Sequence, residues 1–269
     1  MSTFITTDPF RYEKFIRWSQ GVAPRFIELA GVRPGERVLD VGCGTGALTV
    51  ELAAAKVGAV TGIDLSLPYI EYARRRVTGR IVTFEVGDAL RLPYPDAAFD
   101  RTLSMLALDV FPDATQALAE MRRVTRPGGT VSGLVNDFRC GSTAFSIVWD
   151  IAAVLDPRAG VVRDEIMSEA MGWPGGLAAF FQAAGLADVR EDQINTRFEY
   201  ASFEDYWATF LTGQGYIGGY VMTLTDTRRK ELERHVRAAY LSGMSDGPRV
   251  LTTWFWVVRG DVPNPNPKT

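Results

Sequence analysis

The sequence contains very few of the residues that bind metals or form disulfides. Its 269 residues include one histidine, His235, and two cysteines, Cys43 and Cys140, without the spacing of a metal site. Zinc sites are built mainly from these residue types, so we expect no metal centre. The shortage of cysteine also fits a reduced, cytoplasmic protein without a Cys43–Cys140 disulfide, and His235 is expected on a charged helix surface.

Long apolar runs and a strong net charge are absent as well. No stretch reaches the ~18 apolar residues that suggest a membrane span. The first eight residues lack the basic and apolar regions of a signal peptide, so we expect neither feature. The net charge of −3 provides no overall attraction to nucleic acid, and we expect none as a partner.

Hydrophobic residues make up 46% of the chain and follow a repeating strand–helix pattern. Between residues 35 and 138, short apolar runs alternate with helix-like segments. Parallel strands joined by helices form a sheet that is covered on both faces. The sequence therefore predicts an α/β, doubly wound core over residues 35–138. Its five predicted strands are 38–41, 59–63, 81–86, 99–104 and 130–135.

The alternation stops near residue 139, and the regions outside the core are rich in aromatic residues. We predict N-terminal helices that cover the site (1–34), a helical lid segment (139–185), two last strands with a helical insertion (186–260, insertion 201–248) and a disordered tail (261–269). The two last strands are predicted at 187–200 and 251–258. The glycines of residues 213–219 predict a loop that moves as the site closes.

The stretch VLDVGCGTG, residues 38–46, joins the first strand to a helix through a turn with Gly42, Gly44 and Gly46. A glycine turn at a helix N-terminus lets a ligand lie against bare backbone. Asp64 ends the second strand, next to this turn. An acidic residue there can accept hydrogen bonds from both hydroxyls of a ribose.

This pattern leaves more than one class of protein open. Gly42, Gly44 and Ala47 also satisfy the looser dinucleotide fingerprint, with Asp64 as the ribose ligand. An NAD(P)-dependent oxidoreductase is therefore one alternative. A cofactor-binding protein without catalytic activity is another, because no residue identifies itself as catalytic from the sequence.

Five motifs together narrow the choice. VLDVGCGTG, GIDLS, GDAL, FDRTLSML and RVTRPGGTV occur in this order. They resemble the class I S-adenosylmethionine-dependent methyltransferases, especially the small-molecule branch related to the ubiquinone-biosynthesis methyltransferases and uncharacterised bacterial members. The resemblance covers roughly residues 35–135. It implies S-adenosylmethionine as the cofactor and a seven-stranded Rossmann-like sheet whose last strand is antiparallel.

The resemblance also implies roles for individual residues. Asp40 would orient the amino group of the cofactor, Asp64 would bind the ribose, and Asp88 with its neighbour would bind the adenine. The expected cofactor-binding residues are Trp18, Asp40, Gly42, Cys43, Gly44, Gly46, Asp64, Leu65, Asp88, Ala89, Met105 and Leu106.

The expected reaction is methyl transfer to a small, apolar or partly apolar acceptor by in-line displacement, without a metal. Asp109 and Asp137 follow the fourth and fifth strands, on the side where open α/β sheets bind ligands. Either could orient the acceptor or take its proton, and either could equally cap a helix or loop. The protein is expected to be a monomer or homodimer.

Overall fold

The computed structural model describes residues 8–19, 21–139 and 141–264. Within these ranges the strands are β1 (Arg37–Val41), β2 (Ala59–Asp64), β3 (Val82–Val86), β4 (Phe99–Met105), β5 (Thr125–Asn136), β6 (Ala187–Tyr200) and β7 (Arg249–Asp261). They form one sheet in the order β3-β2-β1-β4-β5-β7-β6. Strands β1 to β5 are parallel, and β7 is antiparallel to β5 and β6. The predicted doubly wound sheet with an antiparallel last strand is confirmed.

Helices connect and cover these strands. They are α1 (Pro9–Ile16), α2 (Val22–Ala30), α3 (Ala47–Ala54), α4 (Leu67–Arg76), α5 (Ala114–Val124), α6 (Thr143–Leu155), α7 (Pro157–Met167), α8 (Gly176–Ala183), α9 (Phe203–Phe210), α10 (Gly215–Thr223) and α11 (Asp226–Leu241). Neighbouring side chains of β1 lie on opposite faces of the sheet. Leu39 packs in one cluster with Leu118 of α5 and Phe181 of α8, whereas Val38 packs in another with Phe26 of α2. Burial on both faces explains why Val38, Leu39 and Val41 of β1 are apolar.

Five helices, α6, α7, α9, α10 and α11, form a second unit that we call the helical cap. Its interior is aromatic, and the ring of buried Tyr206 lies 5.1 Å from Phe210 and 4.9 Å from Tyr240. The Tyr206 hydroxyl donates a hydrogen bond to the Ala144 carbonyl at 2.5 Å, which joins α9 to α6. The cap therefore has a hydrophobic core of its own, distinct from those on the two faces of the sheet.

Two predictions for the flanking regions differ from the structure. Residues 139–185 do not form one lid segment, because α8 packs on the sheet and buries Phe181 there. Residues 213–219 do not form a continuous loop, because α10 begins at Gly215. A Cβ added at Gly218 would lie 3.3 Å from the Phe210 carbonyl oxygen, so this glycine allows α9 and α10 to approach closely.

The predicted tail also begins too early. Asp261 is the last residue of β7, and Val262 is buried with its N–H donating to the Gly129 carbonyl at 2.9 Å. Residues 265–269 and Cys140 lie outside the described residues. The predictions that the end of the tail is disordered and that Cys43 and Cys140 form no disulfide therefore stay predictions. In the described ranges, no helix has both the length and the apolar character that a membrane crossing requires.

Candidate active site

The carboxyl ends of the strands and the helical cap enclose a cavity of about 710 Å³. This volume falls within the roughly 300–1,000 Å³ of small-molecule sites. One side, which we call the sheet side, consists of the residues that follow β1 to β5. The other, which we call the cap side, consists of α1, the turn after it, and the facing parts of α6, α7 and α10. The cavity lies where open α/β sheets bind ligands.

Asp40 lies at the floor of the sheet side and is almost fully buried. The Thr49 hydroxyl of α3 donates a hydrogen bond to its carboxylate at 2.7 Å. Burial, with a smaller contribution from Asp64, raises the pKa of Asp40 to about 7 despite that hydrogen bond. No salt bridge to Asp40 occurs in the described part of the chain. A positively charged ligand group beside it would therefore stabilise the ionised carboxylate.

Asp64 occupies the tip of β2, as predicted. The Gly44 N–H donates to its Oδ2 at 2.9 Å, and the Ser66 N–H donates to its Oδ1 at 2.8 Å. Burial raises the pKa of Asp64, and these two hydrogen bonds oppose the rise. Each oxygen retains a further lone pair. The carboxylate is thus held rigidly next to the glycine turn while it can still accept two hydroxyl groups.

The glycine turn contributes three of its four predicted residues to the cavity. Gly42, Cys43 and Gly44 line it, whereas Gly46 does not. The reason is that Gly46 lies against the sheet: an added Cβ would be 2.9 Å from the Phe84 ring, and its φ is +91°. Gly46 therefore allows α3 to start close to β3. Burial raises the pKa of the Cys43 thiol well above its ordinary value, so Cys43 is a small neutral side chain and not a nucleophile.

The remaining residues predicted to hold the cofactor also line the cavity. Asp88 is exposed, and its carboxylate accepts the Leu90 N–H at 2.8 Å, which shapes the loop after β3. Met105 and Leu106 end β4 and begin the next turn, where Leu106 has a left-handed φ of +59°. The structure therefore brings the tips of β1 to β4 together around one space.

Aromatic side chains dominate the cap side. Trp18 is buried, stacks on Phe255 with ring centroids 5.9 Å apart, and meets Phe145 edge to face at 5.1 Å. Phe145 in turn contacts Phe210, so it links the cavity wall to the core of the cap. Tyr12 of α1 lies over the glycine turn, because a Cβ at Gly44 would be 3.3 Å from its hydroxyl. Sequence reasoning had identified the aromatic helices without showing which rings reach the cavity.

Three polar residues line the cavity at the ends of β4 and β5. Asp109, Asn136 and Asp137 all belong to its wall. The Asp137 carboxylate accepts the Arg139 N–H at 3.0 Å, so it shapes its own loop. By contrast, Asp109 Oδ1 and Asn136 Oδ1 are buried without a hydrogen-bond partner among the described residues. Sequence reasoning missed Asn136, although it directly precedes Asp137 at the end of a strand.

Metal-binding groups are lacking in the part of the chain that the structure describes, where no cluster of three or more His, Cys, Asp or Glu could hold an ion. His235 lies on α11, where its Nε2 is 2.8 Å from Arg234 Nη2, and it does not line the cavity. Apart from Arg163, the charged side chains that line the cavity among the described residues are carboxylates.

The sheet order, the glycine turn after β1 and the carboxylate at the tip of β2 define the class I methyltransferase fold. Residues 39–132 match a family model described as a methyltransferase domain. Residues 39–132 are therefore similar in sequence to methyltransferase domains, and the sheet that they build has the fold of this class.

The chain is also similar to individual proteins and to solved structures. The chain is 37% identical over 143 residues to 27-O-demethylrifamycin SV methyltransferase of Amycolatopsis mediterranei, covering 51% of this chain and 52% of the relative. An uncharacterized protein of Mycobacterium tuberculosis is 29% identical over 242 residues, 86% of this chain and 85% of the relative. The fold is similar, with a TM-score of 0.59 and 16% identity, to Haemonchus contortus phosphoethanolamine N-methyltransferase 2 solved with S-adenosyl-L-methionine, covering 95% of this chain and 57% of that one.

The chain spans about half the length of the first curated relatives that it matches, from 44% to 52%. The acceptors that these relatives methylate are therefore properties of those proteins.

Proposed function

We propose that this protein transfers the methyl group of S-adenosylmethionine to a small, partly apolar acceptor, without a metal. One observation supports this most directly: a single cavity joins the glycine turn and Asp64 on its sheet side to an aromatic wall on its cap side. A methyl donor and its acceptor must share one space from which water is excluded.

The residues of the sheet side suit S-adenosylmethionine. Asp64 is held to accept the ribose hydroxyls, and Asp40 lacks the cation that the amino group of the ligand would supply. Two buried polar atoms of the cavity wall, Thr45 Oγ1 on the sheet side and Trp18 Nε1 on the cap side, have no partner among the described residues and are available to a ligand. When bound, this cofactor supplies a methyl group on a positively charged sulfur that leaves as a neutral thioether.

The protein's own contribution is then alignment and exclusion of water. Phe15, Phe145 and Trp149 form an apolar wall on the cap side of the cavity. Such a wall favours an acceptor with a ring or a short hydrophobic body over a macromolecule. The names of relatives that are O-methyltransferases, such as the rifamycin and nocamycin enzymes, support a small-molecule acceptor. We further propose a cytoplasmic monomer or homodimer that does not act on nucleic acid.

Calorimetry tests the cofactor and separates the dinucleotide alternative. S-adenosylmethionine and its demethylated product should bind in the micromolar range, whereas NAD and NADP should not bind. Tight binding of NAD with no binding of S-adenosylmethionine would refute the proposal. A screen of small acceptors with labelled methyl donor then separates an active enzyme from a protein that only binds the cofactor.

Hydrogen exchange tests the position of the acceptor. The demethylated product alone should protect residues 38–106, and a methylated acceptor added to it should further protect 139–155 and 201–222. If the acceptor added no protection beyond 38–106, the cap would not be its binding wall. Efficient methylation of RNA or protein would contradict the small-molecule proposal.

A further inference from the structure

Asp109 differs from the other carboxylates of the cavity in the hydrogen bonding of its Oδ1. It lies in the short turn Leu108–Val110 that follows β4 and lines the cavity. Its Oδ1 is buried without a hydrogen-bond partner among the described residues. Asp64, Asp88 and Asp137 each accept backbone N–H groups that shape the surrounding turns. A buried carboxylate oxygen without a partner is costly to the fold and is therefore available to a ligand.

Among the described residues, no positively charged side chain forms a salt bridge with Asp109. Tyr216 of α10 and Glu169, just after α7, are the ionisable groups that interact with it electrostatically. Burial raises the pKa of Asp109 to about 6, with a smaller contribution from Glu169, although a hydrogen bond from the backbone N–H of Asp109 itself opposes the rise. Arg163 of α7 also lines the cavity, but it is paired with Asp150 at 3.2 Å and Asp164 at 3.0 Å. At neutral pH, Asp109 is thus mainly an ionised base without a counter-ion.

A second atom of the cavity wall requires the same chemistry from a ligand. Asn136 ends β5, the strand next to β4, and its Oδ1 is also buried without a described partner. Both atoms are hydrogen-bond acceptors. The ligand that completes this wall must therefore bring hydrogen-bond donors, and its remaining surface must suit aromatic neighbours.

We propose that Asp109 is the general base for a hydroxyl-bearing acceptor, a phenol or an enol, and that the product is a methyl ether. This inference rests on the proposed methyl-transfer function. A hydroxyl is favoured over a protonated amine because the methyl donor already brings a positive charge into the cavity, and a second cation beside it would be repelled.

The step balances without any other reactant. The acceptor oxygen forms a bond to the methyl carbon while the carbon–sulfur bond breaks, with its electron pair remaining on sulfur. The hydroxyl proton moves to the Asp109 carboxylate and is later released to solvent. The role of the protein is to hold that carboxylate where the proton leaves.

The Asp109→Asn variant tests the role, with Asp113→Asn as its matched control. Asp113 follows in the same loop, does not line the cavity and caps α5 by accepting the Gln116 N–H, which asparagine also does. An acceptor is first chosen from matched phenols, anilines and thiols using labelled S-adenosylmethionine. We expect phenols to be methylated, with kcat about 10²–10⁴-fold lower in Asp109→Asn and unchanged in Asp113→Asn. KM and the affinity for the demethylated cofactor should change little.

The pH profile and a dye provide further readouts. The wild-type kcat/KM should fall below pH 6 as Asp109 becomes protonated. In Asp109→Asn, this decrease at low pH should be absent. The dye is 4-nitrophenol, which absorbs visible light only as the phenolate, and it is added with the demethylated cofactor bound. A neighbouring carboxylate opposes ionisation of the phenol. The pKa of bound 4-nitrophenol should therefore be raised in the wild type and raised less in Asp109→Asn.

These results separate the two proposals. Failure of the wild type to bind S-adenosylmethionine would refute the proposed function itself. If the cofactor binds, three results would each refute the role of Asp109: unchanged kcat and pH profile in Asp109→Asn, turnover of amines or thiols only, or no binding of 4-nitrophenol to the wild type.

Discussion

The sheet side of the cavity presents backbone and carboxylates, whereas the cap side presents aromatic rings. The sheet side comes from short contiguous motifs, each at the end of a strand, and most of it lies within the matched range 39–132. The cap side comes from α1, α6, α7 and α10, which are distant in sequence. Under the proposed function, the sheet side would hold the methyl donor and the cap side would hold the acceptor. The following predictions test this division, beginning with the largest effect.

Phe210→Ala should destabilise the helical cap without changing the sheet side of the cavity. Phe210 is fully buried in the core of the cap, so its removal should cost about 3–5 kcal/mol of unfolding free energy. Urea unfolding measures this loss. The neighbouring Leu211 is exposed, and Leu211→Ala should cost less than about 1 kcal/mol. If the two sides are independent, both variants should retain their affinity for the demethylated cofactor. A parallel loss of that affinity in Phe210→Ala alone would show that the cap supports the donor site.

Asp64→Ala should affect the sheet side alone. Loss of a charged acceptor for two hydroxyl groups should weaken cofactor binding by about 1.5–3 kcal/mol, measured by calorimetry. Asp192 is an exposed carboxylate on β6, and Asp192→Ala controls for the change in net charge. Equal affinities in the two variants would remove Asp64 from the cofactor site.

Asp40 should make cofactor binding depend on pH. Since its pKa is raised to about 7, protonation below that value removes the charge that attracts the ligand amino group. Affinity should therefore fall as pH falls below 7, by up to about tenfold per pH unit. In Asp40→Asn this slope should be absent. A slope that persists in the variant would assign the pH dependence to another group, such as Asp64.

The same raised pKa should influence the stability of the ligand-free protein with the opposite sign. Because the folded state binds the Asp40 proton more tightly than the unfolded chain does, stability should decrease as pH rises from about 4 to 7. Thermal unfolding of Asp40→Asn should lack this decrease. Measurements without ligand and at matched ionic strength isolate the effect.

The smallest expected effect is that of a chelator. The proposed reaction uses no metal on either side of the cavity, so treatment with EDTA should leave activity and cofactor affinity unchanged. Activity that is lost with EDTA and restored by zinc or magnesium would show that the reaction requires a metal ion.

Much of this division could be predicted from the sequence because the sheet side is encoded locally. A strand that ends in a glycine turn, or in Asp64, brings its functional residue to the edge of the sheet whatever the rest of the chain does. Parallel pairing then places neighbouring strand ends side by side. Gly46 is the exception within the turn: its requirement for a glycine comes from Phe84 on another strand, and no local pattern reveals that contact.

The sequence by itself therefore determined the doubly wound sheet and most of the residues that line the sheet side of the cavity. Only the tertiary structure decided that α8 belongs to the sheet, that Phe145 lines the cavity while Phe210 lies behind it, and that Asp109 and Asn136 lack partners while Asp137 shapes its own loop. The physical reason is that aromatic residues on a helix indicate that this helix is buried, but they do not indicate which segment of the chain it packs against. Partners are set by packing between segments that are far apart in the chain.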